Sequence, residues 1–291
     1  MMKGKSKLLV FCVGFLIMLF SLPAFADDEG FTSKDESGND PREFSSKFMP
    51  YYRYTDIKDG PDINEFVLFG FHAFDPRFGL TYEVPVAKEV DAGAPVGSKN
   101  GMGDTILRFF TRPIWGEASY GRDGSKNFSF MPMVETTLPT ASSSQFDILG
   151  GDKWILSPGF VTVFDIPAYS PPFSLAFIAM MNFFDFDVTK DDGASSTTSF
   201  RGRWFYMQPF SMPKPDFSMK HLFDTSGLYI MTEFQPVYDF MESDFSLWVA
   251  PEFGKILGGG VILYAKPGTT IDKDPGDRDF TFEFGLRYFI K

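Results

Sequence analysis

Histidine is the side chain that most often acts as a general base in enzymes, and this chain of 291 residues contains two histidines. His72 lies in Phe69-Gly-Phe-His-Ala-Phe74, and His221 lies in Ser218-Met-Lys-His-Leu-Phe223. Barrel enzymes that cleave lipid place a histidine beside a serine or an acid, because the base must activate a nucleophile. Neither segment has the His-Ser pattern of those enzymes. We therefore expect no catalytic residue, and an interfacial or lumenal position for both histidines.

A second set of reactive side chains alternates with apolar residues along predicted strands. Successive side chains of a strand point to opposite faces, so these charges share one face of each strand. The residues predicted to line a polar lumen are Arg108, Glu135, Arg201, Arg203, Glu233, Glu252, Glu283 and Arg287. They could set the selectivity of a pathway, or they could form ion pairs that only fill a narrow barrel. Arg201 and Arg203 are the preferred candidates, because two cations on one strand are the hardest to neutralise locally.

Motifs for metals and cofactors are missing from the sequence. Its one cysteine, Cys12, lies in an N-terminal apolar run, so we expect no disulfide or thiolate site. The acidic segments 190–193 and 272–277 lack the acidic twelfth position of an EF-hand loop. The glycines at 101–104 and 258–260 lack the following Lys-Ser/Thr of a phosphate loop, and turns explain them. We expect no cofactor and no bound metal.

The strands that would position these residues are clearest at the C-terminus, where polar and apolar residues alternate. One face carries Phe280, Phe282, Phe284, Leu286, Tyr288 and Ile290, and the other carries Thr281, Glu283, Gly285 and Arg287. One face suits lipid and the other suits water, as in a membrane β-strand. Gly285, Tyr288 and Ile290 also resemble the C-terminal signal that the bacterial barrel-assembly machinery reads. We therefore expect that machinery to be a partner.

Further runs with β character recur between clusters of Gly, Pro, Asp and Ser. The predicted strands cover 48–55, 65–74, 77–86, 103–113, 127–138, 153–166, 173–187, 199–210, 227–240, 244–257, 259–267 and 279–290. An even number of antiparallel strands can close without exposing an edge to lipid. The sequence therefore predicts an all-β fold, a transmembrane antiparallel up-and-down β-barrel of about twelve strands with turns at one end and longer loops at the other. A large soluble β-sandwich or jelly roll is the alternative.

The N-terminal segment has the features of a secretory signal peptide. Three lysines precede an apolar run from Leu8 to Phe20, and Ala24-Phe25-Ala26 is an A-x-A cleavage site. We expect residues 1–26 to be removed after Ala26 and the protein to reach the outer membrane of a Gram-negative bacterium. Residues 27–47 are polar with little to bury, which predicts a tail or a plug. Residues 48–291 then form the barrel.

Composition supports a membrane barrel and excludes one class of partner. Aromatic residues make up 18% of the chain, including 37 Phe, which suits an apolar outer band with aromatic girdles. The net charge is −11 at pH 7, and loss of the three lysines of residues 1–26 would lower it to −14. An acidic protein repels nucleic acid, so we expect no nucleic-acid partner. Outer-membrane lipids and lipopolysaccharide are the expected surroundings.

Several short segments follow one another in a defined order between residues 100 and 290. They are Gly101-Met-Gly-Asp-Thr-Ile-Leu107, Thr137-Leu-Pro-Thr140, Leu149-Gly-Gly-Asp-Lys-Trp154, Ser157-Pro-Gly159, Arg203-Trp-Phe-Tyr-Met-Gln-Pro209, Leu247-Trp-Val-Ala-Pro251 and the final aromatic strand. Their order resembles the outer-membrane β-barrels of the putative meta-pathway of phenol degradation family, often called transporters. The resemblance implies a barrel that moves small hydrophobic or aromatic compounds, and it supplies no catalytic residues. This chain departs from the family in its short glycine run at 258–260.

Three functional hypotheses follow. The first is a monomeric outer-membrane channel through which small hydrophobic or aromatic compounds diffuse, with such a compound as its ligand. The second is a closed structural or surface-interaction barrel, whose acidic external loops bind partners or the divalent cations that bridge lipopolysaccharide. The third is a barrel lipid hydrolase, whose lipid release would be lost on His72→Ala. We expect no such release.

Overall fold

The structure, a computed structural model, describes residues 41, 46–75, 78–93, 97–111, 128–141, 149, 153–166, 176–188, 198–271 and 277–290. Within these ranges the strands are β1 (Lys47–Ile57), β2 (Asp62–Asp75), β3 (Phe78–Asp91), β4 (Ser98–Gly101), β5 (Thr105–Thr111), β6 (Phe128–Leu138), β7 (Ile155–Asp165), β8 (Phe177–Asp187), β9 (Thr198–Pro209), β10 (Leu228–Asp239), β11 (Asp244–Gly258), β12 (Val261–Ile271) and β13 (Arg278–Phe289). A short 3-10 helix, Met219–Phe223, lies between β9 and β10. In the described ranges, no helix is both long and apolar enough to cross a membrane.

All of these strands except β4 form one closed antiparallel ring. Neighbours in the chain pair with each other, β3 pairs with β5, and β1 closes the ring on β13. The predicted transmembrane β-barrel of about twelve strands is therefore confirmed. We call the end at which β1 begins and β13 ends the terminal end, and the opposite end the loop end.

The short strand β4 lies in a segment that the sequence analysis left between two predicted strands. It pairs with one end of β3, from Lys88 opposite Gly101 to Asp91 opposite Ser98. The reason is a difference in length: β3 has 14 residues, whereas β5 has 7 and pairs with β3 only as far as Glu83. The returning chain therefore covers the part of the β3 edge that β5 does not reach.

The outer surface follows the predicted period-two pattern. In β13, Phe284 is 50% exposed, whereas Glu283 beside it is 7% exposed. The alternation continues along this strand, with Phe280, Phe282 and Tyr288 outside and Thr281 and Arg287 inside. A strand in a barrel wall must offer apolar side chains to lipid and can offer polar ones to the lumen, which is the origin of this pattern.

The expectation of turns at one end and longer loops at the other is wrong. Residues 210–227, which join β9 to β10, form a long connection at the terminal end. This connection is tied to β11, because Lys255 Nζ lies 3.1 Å from Asp224 Oδ1 and His221 Nδ1 lies 2.9 Å from the Leu257 carbonyl oxygen. The acidic segment 190–193 and most of 272–277 lie outside the described residues.

The turn between β11 and β12 at the terminal end is built from three glycines. Gly258, Gly259 and Gly260 have φ angles of 82°, 59° and 77°, a region that side chains disfavour. A Cβ at Gly258 would also lie 2.3 Å from the backbone oxygen of Asp216 in the long connection. The turn assignment of these glycines is therefore confirmed.

The interior is divided into two layers along the barrel axis. Near the terminal end, inward side chains form an apolar layer that consists of Phe71, Phe110, Met131, Met133, Val161, Val163, Phe177, Ala179, Phe205, Met207, Met231, Ile256 and Ile262. The middle of the barrel holds charged side chains. The sequence did not predict the apolar layer. Strands such as β8 are apolar on both faces at this level, so the alternation that marks a lumenal face is lost.

Candidate functional site

The charged layer consists of lumenal acids and bases from most of the strands. All eight residues predicted to line the lumen lie in it, and Glu135, Glu233 and Glu252 are at most 1% exposed. Its members are Arg53, Glu65, Glu83, Arg108, Glu135, Asp185, Arg201, Arg203, Glu233, Glu252, Lys266, Glu283 and Arg287. A buried charge is costly unless it is paired, so the contacts of each group decide what this layer can do.

One group of contacts is centred on Glu135 of β6. The Arg108 side chain donates to Glu135 from the neighbouring strand β5, and the two residues are directly opposite in register. Arg201 of β9 donates to the other carboxylate oxygen at 2.5 Å and to Asp185 at 3.1 Å. Arg108 also lies 3.5 Å from Glu83 of β3. This group therefore connects strands from β3 to β9.

A second group is centred on Glu233 of β10, which is 0% exposed. Arg203 donates to it from the adjacent strand β9, and Lys266 Nζ of β12 lies 3.2 Å from its other carboxylate oxygen. Lys266 also lies 3.3 Å from Glu283, its register partner on β13. These contacts join four strands on one side of the lumen.

The third group lies on the same side and includes Arg287 of β13. Its guanidinium donates to Glu252 at 2.6 Å, although β12 separates their two strands in the wall. The Tyr229 hydroxyl donates to the same carboxylate at 2.8 Å. Direct contact between strands that are not neighbours shows that these side chains extend into the lumen.

These pairings correct the reason for preferring Arg201 and Arg203. We expected two cations on one strand to be the hardest to neutralise locally. Each instead has a carboxylate partner on a neighbouring strand, Asp185 on β8 for Arg201 and Glu233 on β10 for Arg203. The spacing of residues within one strand says nothing about acids on the adjacent strands. The expectation that these two arginines are hard to neutralise was therefore wrong. The selectivity role of the pair stays a prediction.

Tyrosines of the lumen lie over glycines on the neighbouring strands. Gly254 is opposite Tyr229 in register and Gly285 is opposite Tyr264, and a Cβ on either glycine would overlap the tyrosine ring. The Tyr264 hydroxyl then donates to Glu283 at 2.9 Å. Because glycine has no side chain, the rings of Tyr229 and Tyr264 can cross the neighbouring strand, and their hydroxyl groups reach the charged layer.

Several charged residues in or beside this layer were not predicted from the sequence. Asp185 alternates with Phe184 and Phe186, so the same signal that marked the other residues was available. Lys266 lies near the end of the strand predicted over 259–267, after the apolar run 261–265, in which the alternation that marks a lumenal face is lost. Arg278 starts β13, one position before the predicted strand, and its lumenal place depends on the true boundary.

A cavity of about 300 Å³ lies inside the ring. Its wall includes charged residues of all three groups, the aromatic residues Tyr51, Trp248 and Tyr264, and members of the apolar layer such as Phe205 and Met231. Pro41, from the segment predicted to be a tail or plug, also lines it. The cavity is therefore polar on one side and apolar towards the terminal end.

The histidines lie apart from this cavity wall. The His72 ring packs edge-on against Phe74 with 4.8 Å between ring centroids, and His221 belongs to the 3-10 helix outside the ring. In the part of the chain that the structure describes, neither imidazole ring has a hydrogen bond to a serine or a carboxylate. Within the same residues, no cluster of three or more His, Cys, Asp or Glu could hold a metal ion.

Comparison with known proteins identifies relatives of this barrel. The family described as "Putative MetA-pathway of phenol degradation" matches residues 47–220, which is more than half of the chain. No curated protein matches the chain. An outer membrane channel from Pseudomonas putida F1 is similar in structure, with 13% identity and a TM-score of 0.55 over 84% of this chain and 95% of that chain.

Two further solved structures have lower scores. The KdgM porin is 13% identical with a TM-score of 0.45, over 84% of this chain and 99% of that chain. The β domain of the Bordetella autotransporter BrkA is 9% identical with a TM-score of 0.48, over 84% of this chain and 98% of that chain. Sequence identities this low bear on the fold alone and not on function.

Proposed function

Because the chain belongs to the family described as "Putative MetA-pathway of phenol degradation", we propose that it is an outer-membrane channel through which small hydrophobic or aromatic compounds diffuse. The observation that carries the proposal is the cavity inside the closed ring. Its volume of about 300 Å³ is at the lower end of the range for small-molecule sites, about 300–1,000 Å³. A compound with a single ring fits such a space, whereas a sugar oligomer does not.

The lining of the cavity supports passage of molecules that have both a polar group and an apolar body. Charged side chains surround its middle, and the apolar layer borders it towards the terminal end. A solute that moves along the axis from the loop end meets hydrogen-bonding groups first and apolar side chains next. The structural similarity to an outer membrane channel agrees with this proposal.

The test is transport by the refolded chain without residues 1–26. Single-channel conductance in a planar bilayer reports an open pathway. Swelling of liposomes in free phenylalanine, a zwitterionic aromatic solute that crosses bare lipid slowly, compared with a disaccharide reports its size limit. We expect steady conductance and entry of phenylalanine. Empty liposomes and heat-unfolded protein provide the baselines. Entry of both solutes at equal rates, or of neither, contradicts the proposal.

Residues 27–45 are proposed to act as a plug at the terminal end. Pro41 lines the cavity, and Ser46 follows this segment and is held in the wall, because its backbone oxygen accepts from Ile290. Deletion should stop at residue 45, since Ser46 and Lys47 belong to the wall. A plug predicts conductance that rises after this deletion, and a mere tail predicts no change.

A closed structural barrel is the second candidate, and the apolar layer favours it. Phe177, Met131 and Met207 are at most 2% exposed, so apolar side chains fill the lumen at their level. Absence of conductance both before and after deletion of residues 27–45 would support this candidate. External binding by the acidic loops would then be lost when those loops are shortened.

The place of the protein in the cell is part of the proposal. Cleavage after Ala26 would release a chain whose last strand, β13, offers an aromatic outer face and a C-terminal signal for the barrel-assembly machinery. The barrel would then lie in the outer membrane of a Gram-negative bacterium, in contact with lipid and lipopolysaccharide. Mass spectrometry of the mature N-terminus tests the cleavage.

A further inference from the structure

We propose that Arg278, at the loop end of the lumen, is an anion-binding residue that captures the carboxylate of small aromatic acids. This inference rests on the proposed channel function and names the class of solute that such a channel would favour. It starts from the charge of the cavity wall. Among the described residues, eight lysines and arginines line the cavity, against four glutamates.

Some of this positive charge is neutralised by carboxylates that do not line the cavity. Three carboxylates that do not line the cavity, Glu65, Glu135 and Asp185, lie against lining arginines. Among the described residues, the eight lining cations exceed these seven acids by one. The protein as a whole has a net charge of −11, so the balance of the described lumenal charges is opposite in sign to that of the whole molecule. A small anion is therefore attracted to the interior.

Arg278 differs from the other arginines of the cavity wall in its partners. The other five, Arg53, Arg108, Arg201, Arg203 and Arg287, each have a carboxylate partner. In the described part of the chain, no carboxylate oxygen lies within 4.0 Å of the Arg278 guanidinium. Its side chain donates to Gln235 Oε1 at 3.0 Å. Since a guanidinium has five N–H donors, it retains donors for a bidentate carboxylate.

The surroundings of Arg278 also suit an aromatic ring. Its Cζ lies 4.6 Å from the centroid of Trp248, and Arg53 and Arg287, on the same side of the lumen, have similar ring contacts. Arg53 lies 5.5 Å from the Tyr51 ring, and Arg287 lies 4.2 Å from the Tyr264 ring. Strands β1, β11, β12 and β13 therefore display cationic and aromatic groups together, and an aromatic acid can contact both.

The position of Arg278 makes it the first of these groups that a solute from the loop end would meet. It is the first residue of β13, and its partners Gln235 and Trp248 are opposite each other in register near the loop ends of β10 and β11. Gln235 also donates to Glu233 at 2.7 Å. An anion bound at Arg278 thus lies at the entrance to the charged layer.

Binding of benzoate to the folded chain in detergent micelles tests this inference without any need for transport. Isothermal titration should detect benzoate, whereas benzamide, of the same shape but neutral, should bind at least about tenfold more weakly, because it makes no charge-assisted hydrogen bond. Cyclohexanecarboxylate should bind more weakly than benzoate, since it lacks the ring face. Equal affinity for all three compounds would overturn the inference.

Variants then assign the site to Arg278. Arg278→Gln should lower benzoate affinity about tenfold, and Arg278→Lys, which keeps the charge but not the planar fork, should lower it less. Lys220→Gln, which removes an exposed positive charge from the 3-10 helix, is the matched control and should not change it. Unchanged benzoate affinity in folded Arg278→Gln would overturn the assignment. If benzoate binds but no solute crosses liposomes, the channel proposal fails and the anion site stands.

Discussion

Arg201 on β9 donates to Glu135 on β6 at 2.5 Å, although β7 and β8 lie between these strands in the wall. The contact therefore crosses the lumen instead of following the sheet. Glu135 is 1% exposed and also accepts from Arg108 on β5. Parts of the wall that share no backbone hydrogen bonds are thus connected through one carboxylate.

Glu135→Gln should destabilise the barrel by about 3 kcal/mol, because it removes the negative charge that the buried Arg108 guanidinium and the partly exposed Arg201 guanidinium share. Unfolding in urea, followed by tryptophan fluorescence, measures the change. Glu242→Gln, in the exposed turn after β10, is the matched control and should change the free energy of unfolding by less than about 0.5 kcal/mol. Equal stability of the two variants would show that the pairing contributes little.

Phe284→Arg should destabilise the barrel by about 2–4 kcal/mol if its half-exposed ring faces the middle of the bilayer. Phe284 is opposite Tyr52 and Ala265 in register, near the centre of β13. The same substitution at Phe245, the second residue of β11, should cost only about 0–1 kcal/mol, because that position is near the interface. Refolding titrations in liposomes measure both. A cost independent of depth would contradict the membrane placement.

Replacement of both Arg201 and Arg203 by alanine should make the channel more selective for cations. The change removes two positive charges from the lumen and leaves Asp185, Glu135 and Glu233 with fewer partners. The reversal potential under a salt gradient measures the shift. An unchanged reversal potential in a normally folded variant would rule the pair out as a determinant of selectivity.

Gly285→Ala should displace the Tyr264 ring, because the new Cβ would lie 2.6 Å from the tyrosine hydroxyl oxygen. We expect a loss of about 1–3 kcal/mol from this overpacking. Tyr264→Phe keeps the ring and removes only the hydrogen bond to Glu283, so it should cost about 1 kcal/mol. Urea unfolding compares the two. A smaller loss of unfolding free energy in Gly285→Ala than in Tyr264→Phe would contradict the packing argument.

Asp224 should make the stability of the 210–227 connection depend on pH. Hydrogen bonds from the Ser226 hydroxyl and from Lys214 hold the pKa of this carboxyl well below its usual range. Its stabilising effect is therefore complete above the unfolded-state pKa of about 3.9, and it is lost as the pH falls through the lower folded-state pKa.

Hydrogen exchange of this connection in Asp224→Asn provides the measurement. At pH 6 the amides of residues 210–227 should exchange faster in the variant than in the unchanged protein. The difference should shrink below about pH 4, where the carboxyl of the unfolded chain becomes protonated. Asp216→Asn, an exposed acid in the same connection, should change nothing. A difference that persists unchanged to low pH would contradict the role of the Asp224 charge.

Local pattern alone determined the strands and their faces. Phe284, Glu283 and Arg287 were assigned to the correct sides, because a strand has a period of two and a membrane wall has lipid on only one side. The number of ring strands followed from the same pattern. Where both faces of a strand are apolar, as in β8, this signal is absent, and the apolar layer went unseen.

Only the tertiary structure decided which charges meet. Arg201 contacts Glu135, and Lys266 contacts Glu233, because closure of the ring and the stagger of its strands bring together residues from strands that are not neighbours. The single arginine of the cavity wall without a carboxylate partner among the described residues, Arg278, became evident for the same reason. Sequence spacing sets the face of a side chain, whereas closure and register set its partners across the lumen.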